Sequence, residues 1–436
     1  MPLVSALWGV ALFSYLFGLY SSANDLAPAR FVYSALRPAK KLVAGLIGRV
    51  SVPYAKTSAV ETVETRAPAD LSPGLTLISG VGPKGTLFAK LIDAKGVARH
   101  SWDLDWFTHW PNPDHVPEAE RPKQRPGTHV HGMVLSPNGD LTYNYEYLGL
   151  IKVDACGRVK WRLPRQTHHS LFEDEQGALW TADTRITQTP RADLPGYKPP
   201  YFTYAILQVS PEGKILQEID VFDLFKRNHL MGLLYQSSVN NDAPISTGDT
   251  LHLNNVTVFP TSMKPGLFKP GDIMVSFRNI NAIIVFDPKT RLVRAQLIGR
   301  FVRQHDSRFV DGSTISVFDN NNVGAPPDQG ASRIVEYSFA DGTEKVLFEG
   351  DAAHPFYSYI MGKQHRLANG NLLVTESVKG RVLEVDDEGR VIWTYNNIVK
   401  PGIAGLVEDA QRIAPDVLSE ASVARISAQC ATTAKL

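Results

Sequence analysis

The feature that most limits what this chain can fold into is a unit of four short runs that recurs along most of its length. Each unit reads as a strand, a turn with Gly, a second strand, a third ending in an acidic turn, and a fourth that often carries an aromatic residue. The clearest copies are residues 131–163, HGMVLSPNGDLTYNYEYLGLIKVDACGRVKWRL, and residues 362–395, GKQHRLANGNLLVTESVKGRVLEVDDEGRVIWTY. Four strands per unit, repeated around an axis, is the pattern of a β-propeller blade. Counting along the chain puts units at 75–102, 131–163, 169–220, 251–299, 305–349 and 359–395. The expectation is an all-β fold, a six-bladed β-propeller catalytic domain over residues 75–398. Insertions at 105–127, 187–200 and 228–248 are expected as loops walling a pocket. Residues 399–436 then form a short tail, in which 405–418 and 421–429 read as helical and pack under the propeller.

The N-terminus has a different texture. Residues 3–20, LVSALWGVALFSYLFGLY, carry no charge and as a helix would roughly match a bilayer core. Residues 1–23 therefore read as a membrane anchor or signal segment, with an uncleaved anchor favoured because the apolar run is long and no basic leader precedes it. Residues 24–74 read as an amphipathic juxtamembrane helix, built on Phe31, Leu36, Leu42, Val43, Leu46 and Ile47, and a linker over 51–71. Arg30, Arg37, Lys40 and Lys41 follow the span, which by the positive-inside rule favours a cytoplasmic C-terminal side, although large domains translocate regardless of flanking charge.

Composition adds exclusions. With 45 Lys and Arg against 44 Asp and Glu, and no basic patch, no nucleic-acid partner is expected. Cys156 and Cys430 are the only cysteines, too few for a disulfide framework or a Cys-rich zinc site. Two unpaired or merely buried thiols are the favoured reading, and a single bridge between them stays open.

Aligning the units by their first hairpin Gly exposes a register. His131 precedes Gly139 by eight positions, His169 precedes Gly177 by eight, His305 precedes Gly312 by seven, and His252 also opens its unit. The first strand of each propeller blade lines the axis, so these side chains are expected to converge. A single strand-edge His is usually a hydrogen-bonded structural residue; four in register make a site. Asn254, two residues after His252, faces the same way, and Arg278 ends the next strand and folds back beside them. Guanidinium, amide and imidazole donors around a nucleophile suit a sulfate or phosphate ester group. A salt-bridged surface role is the lesser alternative for Arg278. A metal is the competing use of clustered His, best supported by His129 with His131 and by His168 with His169. No HExxH motif, Cys pair or obvious carboxylate triad accompanies them, so neither metal nor cofactor is expected.

Three stretches carry a family resemblance: LHLN at 251–254, GDIMVSFRNINAIIVFD at 271–287 and QHDSRFVDGSTISVFDN at 304–320. They resemble bacterial arylsulfotransferases that work without 3′-phosphoadenylylsulfate. The resemblance, which covers residues 75–395, implies a six-bladed propeller acting outside the cytoplasm; with the N-terminal helix as its anchor the chain is expected on the periplasmic side of the inner membrane, or secreted if that segment is cleaved. It implies His305 as the transiently sulfated histidine, His252 and Asn254 as a His-x-Asn element, and Arg278 as the sulfate-binding arginine. His169 matches the remaining active-site histidine, with His168 its rival; His131 and His168 join Asn254 as substrate-binding candidates. The implied reaction is ping-pong sulfuryl transfer from an aryl sulfate to a phenolic acceptor, with His169 or His252 protonating the departing phenolate. Two features depart from the family pattern: Asp249-Thr250 stands where an Asp-Trp pair is common, and the closely spaced Cys pair is absent. A metal-dependent hydrolase or lyase and a non-catalytic anion-binding propeller are the readings kept beside it.

Overall fold

The computed structural model describes residues 12–18, 20–21, 53–238, 244–325, 330–351 and 354–433. The chain divides into two compact units, Met1–Val52 and Pro53–Leu436. In the first, residues 12–18 and 20–21 are helical and leave Leu12, Phe13, Tyr15, Leu16 and Tyr20 exposed. Among the described residues no helix is long and apolar enough to cross a membrane. The span expected at 3–20 lies largely outside the described residues, and the amphipathic helix expected around Phe31 to Ile47 lies wholly outside them.

The second unit is built almost entirely from antiparallel sheets, six of them with a four-stranded core. Alternating runs closed by Gly turns fold into consecutive meanders, because two-residue periodicity gives each strand two distinct faces. The second sheet is Met133–Leu135, Leu141–Tyr145, Gly149–Val153 and Val159–Leu163. The third is Thr167–Glu173, Leu179–Thr187, Tyr197–Val209 and Ile215–Asp220, with Ser246–Gly248 added in parallel to Tyr197–Val209. The fourth runs Leu253–Val258, Ile273–Phe277, Ala282–Phe286 and Val293–Ile298, and the fifth His305–Phe309, Thr314–Asp319, Arg333–Ser338 and Glu344–Phe348. The sixth is Lys363–Arg366, Leu372–Glu376, Arg381–Val385 and Val391–Asn396.

The first sheet joins the two ends of this unit: Val407–Ile413 pairs with Leu75–Val81, which continues to Leu87–Ile92 and Ala98–Asp103. That pairing corrects the helix expected at 405–418. The segment Val407-Glu-Asp-Ala-Gln-Arg-Ile413 has no strong strand signal, but Leu75–Val81 is buried along its whole length and needs a partner on its second edge. The stretch expected as a linker also contributes strands, Tyr54–Lys56 against Ile403–Gly405 and Val63–Thr65 against Val391–Asn396. The insertion expected as a loop at 187–200 becomes strand from Tyr197 onward.

Each pair of neighbouring sheets shares an apolar interface. Tyr143 and Ile151 pack with Leu77 and Leu91; Leu150 with Leu179 and Leu207; Ile206 with Val256 and Val275. Val285 packs with Val317; Phe318 with Val374; and Leu373 and Trp393 return to Ile78 and Val407. Buried apolar area on this scale is the main favourable term in the fold. The innermost strands of all six sheets line one cavity of about 240 Å³, which includes Met133, Ser170, Asn255, Asp306, Lys363 and Asp409.

The helix expected at 421–429 is present as Glu420–Thr433. Ser427 Oγ lies 2.8 Å from His100 Nδ1 and donates to the Arg99 carbonyl at 3.0 Å, and Cys430 is bridged to Cys156. The bridge corrects the favoured expectation of two unpaired thiols, and it ties the helix to the second sheet.

Candidate active site

The site stands where the innermost strands begin. His169 and His252 adopt left-handed backbone with φ of 59° and 54°, and Asp306 does so at 42°. Register shifts follow at each place, between His168 and Leu171, Leu253 and Asn255, and His305 and Arg308. A bulge at a strand start redirects the side chain from the sheet face. Three adjacent sheets therefore turn imidazoles toward one point: ring centroids are 5.2 Å apart for His131 and His169, 4.8 Å for His169 and His252, and 6.2 Å for His169 and His305. The four histidines expected to converge do meet, with His169 in the middle.

Hydrogen bonds determine the tautomers. Asp249 accepts from His252 Nδ1 and from the Tyr204 hydroxyl at 2.7 Å. Burial opposes ionisation of Asp249, but the His252 hydrogen bond and the charges around it hold its pKa at about 2. An ionised acceptor requires His252 Nδ1 to carry hydrogen, leaving His252 Nε2 bare to accept from His169 Nε2 at 3.1 Å. His169 Nδ1 is then bare and accepts from His168 Nδ1 at 2.8 Å, and His168 Nε2 accepts from Thr184 Oγ1 at 3.1 Å. Three neutral imidazoles satisfy this chain in one direction only. His168 is the outer member, its ring tilted by 31° against Tyr147 with centroids 4.7 Å apart; His169 is the one beside His131, His252 and His305.

His305 is wired differently. Its Nδ1 donates to Asn320 Oδ1 at 2.7 Å, and its Nε2 is buried with no hydrogen-bond partner among the described residues. Asn320 is itself pinned, donating to the carbonyls of Ser358 and Met361 at 2.7 Å each. Burial first, then the Arg278 charge, pushes the His305 pKa down to about 3, so the ring is neutral with a bare nitrogen facing the cluster.

Arg278 follows Ile273–Phe277, and its backbone N–H donates to the His252 carbonyl at 3.0 Å. Its guanidinium charge is felt by Asp249, His252, His305 and Glu146. Asn254 is buried, and its Oδ1 has no hydrogen-bond partner among the described residues. Its amide donates to the Gln304 carbonyl at 2.8 Å, tying down the backbone that leads into His305. Gln304 reaches back to Ser276 Oγ at 3.0 Å and to the Ala282 carbonyl at 3.1 Å.

Sequence reasoning gave no role to two groups that the fold brings here, Asn320 and Glu146, and weighed a third, His129, only as support for a metal. Asn320 holds the nucleophile candidate. His129 lies 2.6 Å from Glu408; burial disfavours its charge, but Glu408 outweighs that and raises its pKa to about 9. Glu146 stands 3.7 Å from His169 Nδ1 and 3.9 Å from His131 Nε2, and burial pushes its pKa up to about 7. A signal for two of them was available. Glu146, Arg278 and Asn320 each directly follow the second strand of their sheets, so they share a register just as the first-strand histidines do.

Among the described residues two groups have ligand atoms within 4.8 Å of one another, spacing that suits a metal ion: His131, Glu146 and His169, and His129, His131 and Glu408. In the first, His169 Nδ1 is engaged by His168; in the second, His129 Nδ1 is engaged by Glu408. Each set would have to surrender an internal hydrogen bond to bind a cation.

Comparison with known proteins gives one family. A family model described as arylsulfotransferase (ASST) matches residues 130–398. No curated protein matches the chain. Among solved structures, a protein of unknown function from Bacteroides caccae is 12% identical, with 76% of this chain and 97% of that one covered at a TM-score of 0.47. A virginiamycin B lyase from Staphylococcus aureus is 11% identical, covering 76% and 86% at 0.37. The WD40 β-propeller domain of Doa1 is 11% identical, covering 77% and 83% at 0.37.

Proposed function

This chain belongs to the arylsulfotransferase family, and from that premise we propose that it transfers a sulfuryl group from an aryl sulfate to a phenol by a ping-pong mechanism through sulfo-His305. The observation that carries the reading is the bare, buried Nε2 of His305, whose partner nitrogen is held by Asn320. Nε2 attacks sulfur, a new N–S bond forms, and the S–O bond to the aryl group breaks, releasing the phenolate. An acceptor phenol oxygen then attacks the same sulfur and the N–S bond breaks, returning the electron pair to Nε2. Arg278, whose charge reaches His305, offsets the charge that shifts onto the sulfuryl oxygens, while the buried rings of His252 and His169 wall the site.

The reading extends to architecture and place. The apolar interfaces that run from sheet to sheet and return to the first support a closed six-bladed propeller. The Cys156–Cys430 bridge supports an oxidising compartment outside the cytoplasm.

The test incubates the purified full chain with para-nitrophenyl sulfate and follows intact mass. The expected outcome is a gain of one sulfuryl group on a peptide containing His305, discharged when phenol is added. His305→Ala should lose transfer by on the order of 10³-fold or more. Full transfer by that variant would exclude His305 as the nucleophile.

A further inference from the structure

We propose that the Glu146 carboxyl group is the acid–base catalyst of this site, giving a proton to the departing phenolate and taking one from the acceptor phenol; this rests on the sulfuryl-transfer reading above. Every imidazole that could do the work is already engaged. His252 holds Asp249 with one nitrogen and His169 with the other, and His169 and His168 are bonded at both nitrogens. His129 is held by Glu408, and His305 Nε2 is the nucleophile. The His131 Nε2 atom is free, but burial first, then the His129 and Lys363 charges, holds its pKa well below the usual imidazole value, so the ring stays neutral and has no acidic proton to give.

Glu146 differs on each count. Its carboxylate oxygens lie 3.7 and 3.9 Å from the nearest imidazole nitrogens, too far for a hydrogen bond, so its proton capacity is uncommitted. Its side chain keeps 15% exposure, enough for a substrate oxygen to reach it. The residue is held in place through its backbone: its N–H donates to the His129 carbonyl at 2.9 Å, and its carbonyl accepts from Thr128 Oγ1 at 3.1 Å. The charged groups facing it are His129, Arg278, Glu408 and Asp249, with Tyr147, His131 and His169 beside it. Burial dominates this balance and keeps both protonation states accessible near neutrality, as an acid that must also serve as a base requires.

The two steps balance. Protonated Glu146 transfers its proton to the phenolate oxygen as the S–O bond breaks, and ends as a carboxylate. That carboxylate removes the acceptor's hydroxyl proton as its oxygen bonds to sulfur, and ends protonated again. The competing occupant of the space between His131, Glu146 and His169 is a divalent cation, which His169 Nδ1 could ligate only by giving up His168.

The experiment compares wild type with Glu146→Gln, nearly isosteric, and Glu146→Asp, which keeps the carboxyl group. With para-nitrophenyl sulfate, whose leaving group departs without assistance, Glu146→Gln should form the sulfo-enzyme within severalfold of the wild-type rate. Transfer onward to unsubstituted phenol should fall about 10²-fold or more, and the neutral limb of its pH profile should vanish. Glu146→Asp should recover part of both. A wild-type burst with unchanged Glu146→Gln transfer and pH profile overturns this proposal alone, as does a stoichiometric metal in wild type that Glu146→Gln loses. Absence of any sulfo-enzyme in the wild type overturns the sulfuryl-transfer reading as well.

Discussion

A nucleophilic imidazole needs one nitrogen bare and the other held, and at His305 a single amide does the holding. Asn320 presents Oδ1 to His305 Nδ1 while its amide hydrogens are fixed by the carbonyls of Ser358 and Met361. The side chain cannot rotate without losing both bonds, which leaves the Met361 carbonyl unpaired and the Ser358 carbonyl with only a 3.4 Å contact from Ser332 Oγ, at a cost of roughly 1–3 kcal/mol for an unsatisfied group. The ring of His305 is thereby held in both tautomer and angle. Asn320→Ala removes the grip and leaves the nucleophile itself intact. The expected result is a sulfo-enzyme formation rate about 10- to 10²-fold lower in single-turnover measurements, since a misplacement near 1 Å costs that much. The apparent affinity for the aryl sulfate should change little, because Arg278 and the remaining imidazoles are untouched. A variant that loses affinity but keeps its rate would show Asn320 to be a binding group instead.

At the scale of elements, what was legible in the sequence follows from what is local. Two-residue alternation and Gly hairpins are short-range signals, so the strands of the second to sixth sheets could be read directly, and so could the first-strand register of His131, His169, His252 and His305. Groups delivered by turns were not legible in that way. Glu146 and Asn320 sit immediately after second strands, where no alternation marks which way a side chain faces. The strand Val407–Ile413 was hidden for another reason, that its partner Leu75–Val81 lies at the far end of the unit. The same closure explains the bridge. Cys430 lies on the C-terminal helix, and the helix is brought to Cys156 once Val407–Ile413 has completed the first sheet. Gly139, in the hairpin after Met133–Leu135, lies against Ile426 of that helix, so the helix packs at the end of the strand opposite His131. Cys430→Ser should therefore lower the unfolding free energy by about 2–4 kcal/mol and leave single-turnover rates at the wild-type value. Denaturant unfolding paired with sulfo-enzyme kinetics checks both halves.

For the whole molecule, burying so many imidazoles ties stability to pH in a direction that can be worked out. Burial holds His168, His305 and His365 at about 3 in the folded state, against the 6.5 of a free imidazole. As pH falls below 6.5 the unfolded chain takes up protons at these positions and the folded chain does not, so stability is lost across the window from 6.5 down to about 3. Each such group contributes a slope of about 1.4 kcal/mol per pH unit. Asp249 and Asp306, held at about 2 despite burial that works the other way, add to the acid limb below the usual carboxylate range. His129 acts oppositely: burial disfavours its charge, but Glu408 raises it to about 9, so its contribution is complete below 6.5 and lost as pH rises through 9. Stability should accordingly peak near pH 6.5, with a steep acid limb and a shallow alkaline one. Urea midpoints measured across pH 4 to 10 test the shape. His129→Gln should flatten the alkaline limb alone, and a wild-type profile that stays level from 6.5 down to 4 would mean that these imidazoles are not kept neutral by the fold.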